Sequence, residues 1–144
     1  MSYSCAIIIP AIDINEDLKK CIKECLLQEK VKITIYLVTN KKIKNKFKNL
    51  KVKYLCCGDV NMSKKRNFAV KKSREKFIAF IDSDAYPIRR WIFNGINILN
   101  RKKNIGMVTG PDLPFKNQKG WSYYIGMASK SFLISGSKVY RKKI

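Results

Sequence analysis

Histidine is absent from this sequence of 144 residues. Its absence excludes Ser-His-Asp and Cys-His catalysis, and it removes the usual nitrogen ligand of structural zinc. The five cysteines are an odd number and include no C-x-x-C pair, which argues against both a disulfide framework and a zinc site. Cys21 and Cys25 are four residues apart, so we expect them on one helix face as small core residues.

Long hydrophobic runs are missing as well. The first apolar stretch, Ile7–Ile9, is too short for a signal peptide and is followed by Pro10. No window approaches the roughly 20 apolar residues of a membrane span. Because 46% of the residues are hydrophobic and no segment is of low complexity, the sequence predicts a single folded domain over residues 1–144 and a cytoplasmic location.

Acidic residues are scarce: 10 Asp and Glu stand against 31 Lys and Arg, which gives a formal net charge of +21. The basic residues are spread along the chain and form no separate arm. Compositional bias without functional content is one explanation, and peripheral attraction to an anionic membrane at its inner face is the next. A nucleic-acid partner would rest on charge alone, so we do not expect one.

Apolar and β-branched runs predict five strands, at residues 4–10, 31–38, 52–56, 76–81 and 105–109. The segment 41–49 is a polar, lysine-rich connection. Helical patterns separate several of the strands. This alternation predicts an α/β fold with a mostly parallel sheet flanked by helices and joined by right-handed crossovers.

Three helices are predicted between these strands. The first begins at a cap formed by Asp13 or Asn15, the second at a cap formed by Asn61 or Ser63, and the third after Pro87, a residue suited to a first helical turn. The apolar stripe of the first helix comprises Leu18, Cys21, Ile22, Cys25 and Leu26. That of the third comprises Ile88, Ile92, Ile96 and Leu99.

Two carboxylates follow the fourth predicted strand directly. The five apolar residues 77–81 predict a strand buried on both faces. In an extended segment Asp82 and Asp84 would point to the same side, at the carboxyl edge of the sheet, where open α/β folds bind ligands. Close carboxylates repel each other unless a cation lies between them. The motif therefore predicts a Mg²⁺ or Mn²⁺ site that handles a phosphorylated ligand; a strand end followed by a plain turn is the alternative.

Three cations, Lys64, Lys65 and Arg66, fall in the first turn of the second predicted helix. They oppose the helix dipole unless an anion binds at that end. For the two lysines a solvated face is an equal alternative, whereas the fork of Arg66 beside Asn67 suits a phosphate. The aromatic cluster at 121–124 either stacks on a base or sugar ring or packs internally.

These pieces lie in the order of a known family. The chain resembles family 2 glycosyltransferases of the GT-A fold, which use nucleotide-sugar donors. The resemblance rests on residues 7–10 followed by Asp13, on a helix ending near Leu27 and Gln28, and on the segments 65–70, 80–87 with Trp91, and 110–111. It covers about residues 4–115, which would be the donor-binding portion, and residues 116–144 would begin an acceptor region.

The resemblance implies a donor site for a UDP- or GDP-sugar. Its residues would be Pro10, Asp13, Asn40, Arg66, Asn67, Asp82 and Asp84. The first three would surround the nucleoside, Arg66 and Asn67 would lie beside the nucleotide, and Asp82 would contact the ribose or the metal. Asp84 would ligate Mn²⁺ or Mg²⁺ bridging the diphosphate.

Two departures from the family pattern bear on the reaction. Asn40 stands where the family usually has an acidic residue that contacts the base. Inverting transfer to a saccharide or lipid-linked acceptor, in polysaccharide or glycolipid assembly, needs a carboxylate base. The only acidic residue after Asp84 is Asp112, and the family places its base beyond position 144. The alternatives are a nucleotide-binding module without turnover and a haloacid-dehalogenase-like phosphatase, whose Asp-x-Asp motif also follows a buried strand.

Overall fold

The alternation of strands and helices is confirmed by the computed structural model, which describes residues 3–43, 49–102, 104–110 and 119–128. The chain divides into two compact units, residues 1–100 and 101–144. The elements in chain order are β1 (Tyr3–Pro10), α1 (Glu16–Leu26), β2 (Val31–Thr39), β3 (Val52–Cys56), α2 (Met62–Lys72), β4 (Phe77–Phe80), α3 (Trp91–Arg101) and α4 (Trp121–Ala128).

All four strands belong to one parallel sheet in the order β3-β2-β1-β4. β1 is central, with Ile7 opposite Ile35 of β2 on one side and Ala79 of β4 on the other. Because side chains alternate along a strand, Ile7 and its neighbour Ile8 contribute to the cores on opposite faces of the sheet. A strand covered on both faces reads as the continuous apolar run seen in β1.

Helices cover both faces of the sheet in the first unit. One core contains residues of α1 and α3 together with inward-facing residues of the strands, among them Leu18, Ile22, Ile92 and Ile96. The other core packs Ala69 of α2 against β1 and β2 and includes the buried ring of Tyr36. Because the strands are parallel, their carboxyl ends lie at one edge of the sheet. The helices α1 and α2 begin after the loops that leave β1 and β3 at this edge.

The first helix forms as its apolar stripe predicts. Asn15, and not Asp13, is the cap: its side-chain oxygen accepts a 2.9 Å hydrogen bond from Leu18 N. Cys21 and Cys25 are fully buried, and all five cysteines of the chain are free thiols. The hydrogen bond with Cys21, followed by burial, raises the pKa of the Cys25 thiol, so Cys25 is an unreactive part of the core.

The prediction that the fourth strand is buried on both faces is wrong. β4 lies at the edge of the sheet, and its burial alternates: Phe77 and Ala79 pack against the core, whereas Ile78 and Phe80 are 41% and 48% exposed. Local sequence shows only that a run is apolar. What covers each face depends on elements distant in the chain.

The third helix begins later than predicted. α3 starts at Trp91, so Pro87 is not in its first turn and Ile88 lies outside it, 68% exposed. The reason is tertiary. The backbone of the preceding segment bonds to the end of α1, where Gln28 Nε2 donates to the Ile88 carbonyl at 2.8 Å and Glu29 N donates to that of Arg89 at 2.9 Å.

The predicted fifth strand is also wrong, because residues 105–109 are described and form no strand. Gly106 interrupts this short segment and Gly110 follows it, and glycine weakens strands. The second unit instead contains α4, which the sequence pattern did not indicate.

The described residues do not include Pro111, Asp112 or residues 44–48, the middle of the polar connection. Within the described ranges, no helix has the length and apolar character needed to cross a bilayer.

Candidate functional site

The carboxyl edge of the sheet gathers the residues that the sequence singled out. Pro10 ends β1 and Asp13 lies in the loop that follows, whereas Asn40 comes directly after β2. Arg66 and Asn67 are in the first half of α2, and the two aspartates follow β4. Parallel strands place all their carboxyl ends on the same edge, so segments far apart in the chain meet there.

An ion pair at this edge joins Arg66 to Asp82, whose Oδ1 accepts a charge-assisted hydrogen bond from Arg66 Nη2. Two further contacts hold the backbone of residues 81–82 in place. Ile81 N donates to the Ile8 carbonyl at 3.2 Å, and the Cys21 thiol lies 3.5 Å from the Asp82 carbonyl oxygen. These contacts bring α2 and the end of β4 together.

The backbone of Asp82–Asp84 is not extended, which corrects the premise of the sequence argument. β4 ends at Phe80, and Ala85 N closes a turn by donating to the Asp82 carbonyl at 3.1 Å. Both aspartates are exposed, and no described residue bonds to the Asp84 carboxylate. Beside them, a hydrogen bond to Asp17 raises the pKa of Tyr86 to about 12.

The donor set is compatible with a divalent ion only if a ligand completes it. Within residues 3–43, 49–102, 104–110 and 119–128, no three His, Cys, Asp or Glu side chains gather into a metal site. Mg²⁺ usually keeps several waters and binds through one or two carboxylates together with substrate phosphates. Two exposed carboxylates at the sheet edge fit that mode and do not fit a closed protein cage.

Asn40 contributes a polar atom with no partner. Its Nδ2 donates a 2.7 Å hydrogen bond to Asp59, whereas its Oδ1 is buried and unpaired among the described residues. Gly58, with φ +78° in the left-handed region that favours glycine, turns the chain after β3 toward Asp59. Buried polar atoms are nearly always paired, so this acceptor is available to a ligand. Asp59 is not among the candidate site residues identified from the sequence. The only indication of this position in the sequence is the loop that starts after β3.

The three cations at the start of α2 have different surroundings. Lys64 is exposed and Arg66 is partly buried against Asp82, but Lys65 is only 1% exposed. The solvated face, one of the two alternatives for these lysines, therefore describes Lys64 but not Lys65. The charge pattern carried no signal for this difference. No described residue bonds to the side chains of Asp13 or Asn67, so the structure leaves their predicted roles untested.

The aromatic cluster lies in α4, within the second unit. Trp121 and Tyr124 are 83% and 65% exposed, and their rings meet edge to face at 6.5 Å. Tyr123 meets Tyr124 in the same manner at 5.8 Å. These rings present a surface and do not pack as a core.

A parallel sheet with helices on both faces, and with a carboxylate pair and a basic helix at its carboxyl edge, matches the GT-A fold. The chain belongs to glycosyl transferase family 2, because the model of that family matches residues 6–143. No curated protein sequence matches the chain.

Solved structures agree on the fold. The structure of residues 1–349 of S. aureus TarS superimposes with a TM-score of 0.66 at 15% identity, covering 83% of this chain and 38% of that one. The same segment in complex with UDP-GlcNAc gives a TM-score of 0.58 at 14% identity, covering 83% and 37%. Its complex with UDP gives 0.54 at 15% identity, covering 83% and 38%. This chain thus spans well under half of the TarS segment, and the likeness shows the GT-A fold.

Proposed function

We propose that the carboxyl edge of the sheet binds a UDP- or GDP-sugar, and that this domain serves inverting transfer of the sugar to a saccharide or lipid-linked acceptor. The observation that carries the proposal is the contact between Arg66 and Asp82 in a chain of glycosyl transferase family 2. It unites a guanidinium suited to phosphate with the carboxylate motif. The TarS complexes with UDP-GlcNAc and UDP make the uridine nucleotide the first candidate.

The residues divide between the two ends of such a donor. Arg66 and Asn67, in the second turn of α2, would bind the diphosphate through the guanidinium and amide groups of their side chains. Pro10 and Asp13 would border the nucleoside. The unpaired Oδ1 of Asn40 would accept an N–H of the base, while Nδ2 stays bound to Asp59.

A divalent ion, Mn²⁺ or Mg²⁺, would be held by Asp84 and Asp82 together with the diphosphate. When bound, it would supply positive charge that stabilises the departing nucleoside diphosphate. The accessible carboxylate of Asp84 is the first candidate ligand. Asp82, already bonded to Arg66, would either join it or contact the ribose.

A module that binds the donor without transferring the sugar is the second candidate. The observation in its favour is that Asp112 is the only acidic residue after Asp84. Deprotonation of an acceptor hydroxyl needs a base, and Asp112 is the one candidate of this chain on that side of the motif. Donor binding accompanied by neither sugar transfer nor slow hydrolysis of the nucleotide sugar would favour this second function.

The proposed donor site predicts stabilisation by one nucleotide. UDP, GDP and their sugars, each with and without Mn²⁺, are compared by thermal unfolding. A ligand at 100 times its Kd should stabilise the fold by about 2.7 kcal/mol. We expect this shift for one nucleotide only and only with the metal. A protein that unfolds cooperatively but shows no shift with any of them would contradict donor binding.

Peripheral contact with an anionic membrane is supported by the charge and by α4. Residues 101–144 carry ten Lys and Arg against one Asp, and the exposed rings of Trp121 and Tyr124 suit a membrane interface. We expect the protein to sediment with vesicles containing anionic lipid, to stay in solution with zwitterionic vesicles, and to lose binding in Trp121→Ala. Equal sedimentation with both kinds of vesicle would refute the electrostatic explanation.

A further inference from the structure

A fully buried lysine lies beneath the loop that leads out of β1. Lys65, in the first turn of α2, is 1% exposed, and its Nζ donates a 2.7 Å hydrogen bond to the carbonyl of Ala11. The two residues are 54 positions apart in the chain. Among the residues that the structure describes, Ala11 is the only hydrogen-bond or ion-pair partner of this ammonium group.

This arrangement is unfavourable for stability alone. A buried ammonium loses its hydration, and lysine is almost never fully buried unless it is paired with an opposite charge. One neutral carbonyl offers a single acceptor to three donors. The positive end of the α2 dipole adds to the cost. An apolar side chain of similar length would fill the same space without these penalties, so the position indicates a role other than stability.

The carbonyl that Lys65 holds belongs to the residue at which the chain leaves the sheet. Ala11 N donates to the Val38 carbonyl at 2.9 Å, and Ala11 is itself buried. Both polar groups of the Ala11 backbone are thus bonded to neighbouring segments. The two following residues, Ile12 and Asp13, are exposed. The direction in which this loop departs is therefore set by the β2 contact on one side and by Lys65 on the other.

We propose that Lys65 is a positioning residue: its ammonium group holds the Ala11 peptide and thereby fixes the loop of residues 11–15 against which the donor nucleotide binds. Lys65 itself does not touch the nucleotide. The inference rests on the proposed function, because it assigns the loop, and Asp13 within it, to the donor site. It distinguishes Lys65 from its neighbours Lys64 and Arg66, whose side chains reach the surface or the Asp82 carboxylate.

The test compares Lys65→Met with the full-length wild type. Methionine fills the same space without a donor: it removes a buried charge but leaves the Ala11 carbonyl unpaired, so we expect a stability close to that of the wild type. We expect a tenfold or greater loss of UDP affinity in the presence of Mn²⁺, since a loop that is no longer held in place must be ordered when the nucleotide binds. The amide NMR signal of Ile12, which shares a peptide group with the Ala11 carbonyl, should shift and broaden. Lys71→Met removes the same charge from an exposed position in the last turn of α2, away from the proposed donor site, and should leave all three measurements unchanged.

Each outcome decides between the explanations. Unchanged UDP affinity and an unchanged Ile12 signal in a folded Lys65→Met protein would overturn the proposal. A fall in stability with unchanged affinity of the folded fraction would assign Lys65 a structural role and overturn it equally. If Lys65→Met does not fold, Lys65→Gln, which keeps an N–H donor without the charge, is measured in the same way. If the wild type binds no nucleotide, the proposed function fails, and the Ile12 signal alone decides whether Lys65 fixes the loop.

Discussion

Asp84→Asn is expected to weaken UDP binding in the presence of Mn²⁺ by roughly 100-fold, which corresponds to about 2.7 kcal/mol. Asparagine keeps the shape of the side chain but removes the negative charge that a hard divalent ion prefers. Because Asp84 is exposed and no described residue bonds to its carboxylate, the melting temperature of the unliganded protein should not change. Isothermal titration of UDP into both proteins, with Mn²⁺ and with a chelator, measures the effect.

The chelator decides how Asp84 acts. If it acts through the metal, wild type and variant should bind UDP equally weakly once Mn²⁺ is removed. A difference that persists in the chelator would show direct contact with the nucleotide. Glu29→Gln is the matched control, because it removes one negative charge at the far end of α1, where Glu29 pairs with Arg90 on the surface. Full Mn²⁺-dependent affinity in Asp84→Asn would refute the metal site.

Gln28→Leu is expected to lower the free energy of unfolding by about 1–3 kcal/mol, the cost of leaving one buried donor, Ile92 N, unpaired. The Ile88 carbonyl keeps its 3.0 Å hydrogen bond from Trp91 N. Gln28 is 9% exposed and bonds across the fold at both ends of its amide. Its Oε1 accepts from Ile92 N at 3.1 Å, and its Nε2 donates to the Ile88 carbonyl. Leucine has a similar size but bonds to neither group, so the start of α3 loses a cap supplied from the end of α1. Urea unfolding followed by circular dichroism, with an unchanged m-value, measures the loss.

A second variant separates the two hydrogen bonds. Gln28→Glu can still accept from Ile92 N, and its negative charge suits the start of α3, but it has no donor for the Ile88 carbonyl. We therefore expect a loss of stability smaller than that of Gln28→Leu. Leu27→Ala, a truncation at the neighbouring and exposed position, should have little effect. Wild-type stability in Gln28→Leu would mean that α3 does not depend on this long-range cap.

Features that depend on local periodicity agree with the sequence. The stripe on α1 is buried as predicted, with Leu18 and Cys21 fully enclosed, and β3 has the predicted bounds at 52–56. Caps are local as well: Asn15 and Asn61 each accept from the backbone N–H three residues on. Short-range sterics and hydrogen bonds decide such features, so they can be predicted from the sequence without a structure.

The order of the motifs along the chain also predicted where the candidate site would be. Parallel strands have their carboxyl ends on one edge, so motifs that follow β1, β2 and β4 must lie on that edge whatever the details of packing. The contact between Arg66 and Asp82 lies at this edge, and the binding site there stays a prediction. The family could be recognised from the same order, and the match over residues 6–143 confirms it.

Tertiary structure alone decided the features that depend on distant partners. The exposed face of β4, the late start of α3 beyond Ile88 and the burial of Lys65 all follow from which segments pack on or bond to those residues. The pattern of apolar residues along the chain shows which side chains could be buried, but it does not show which of them another segment packs against. Lys65 shows this most clearly: a lysine in a run of cations is indistinguishable from a solvated one until the carbonyl of Ala11, 54 residues away, is placed beside it. The sequence by itself determined the strands and helices of the first unit apart from some of their bounds, the parallel topology and the edge that carries the candidate site, because local propensities and strand order govern these. Burial and long-range hydrogen bonding were decided only by the folded chain, because both depend on residues that are neighbours in space and not in sequence.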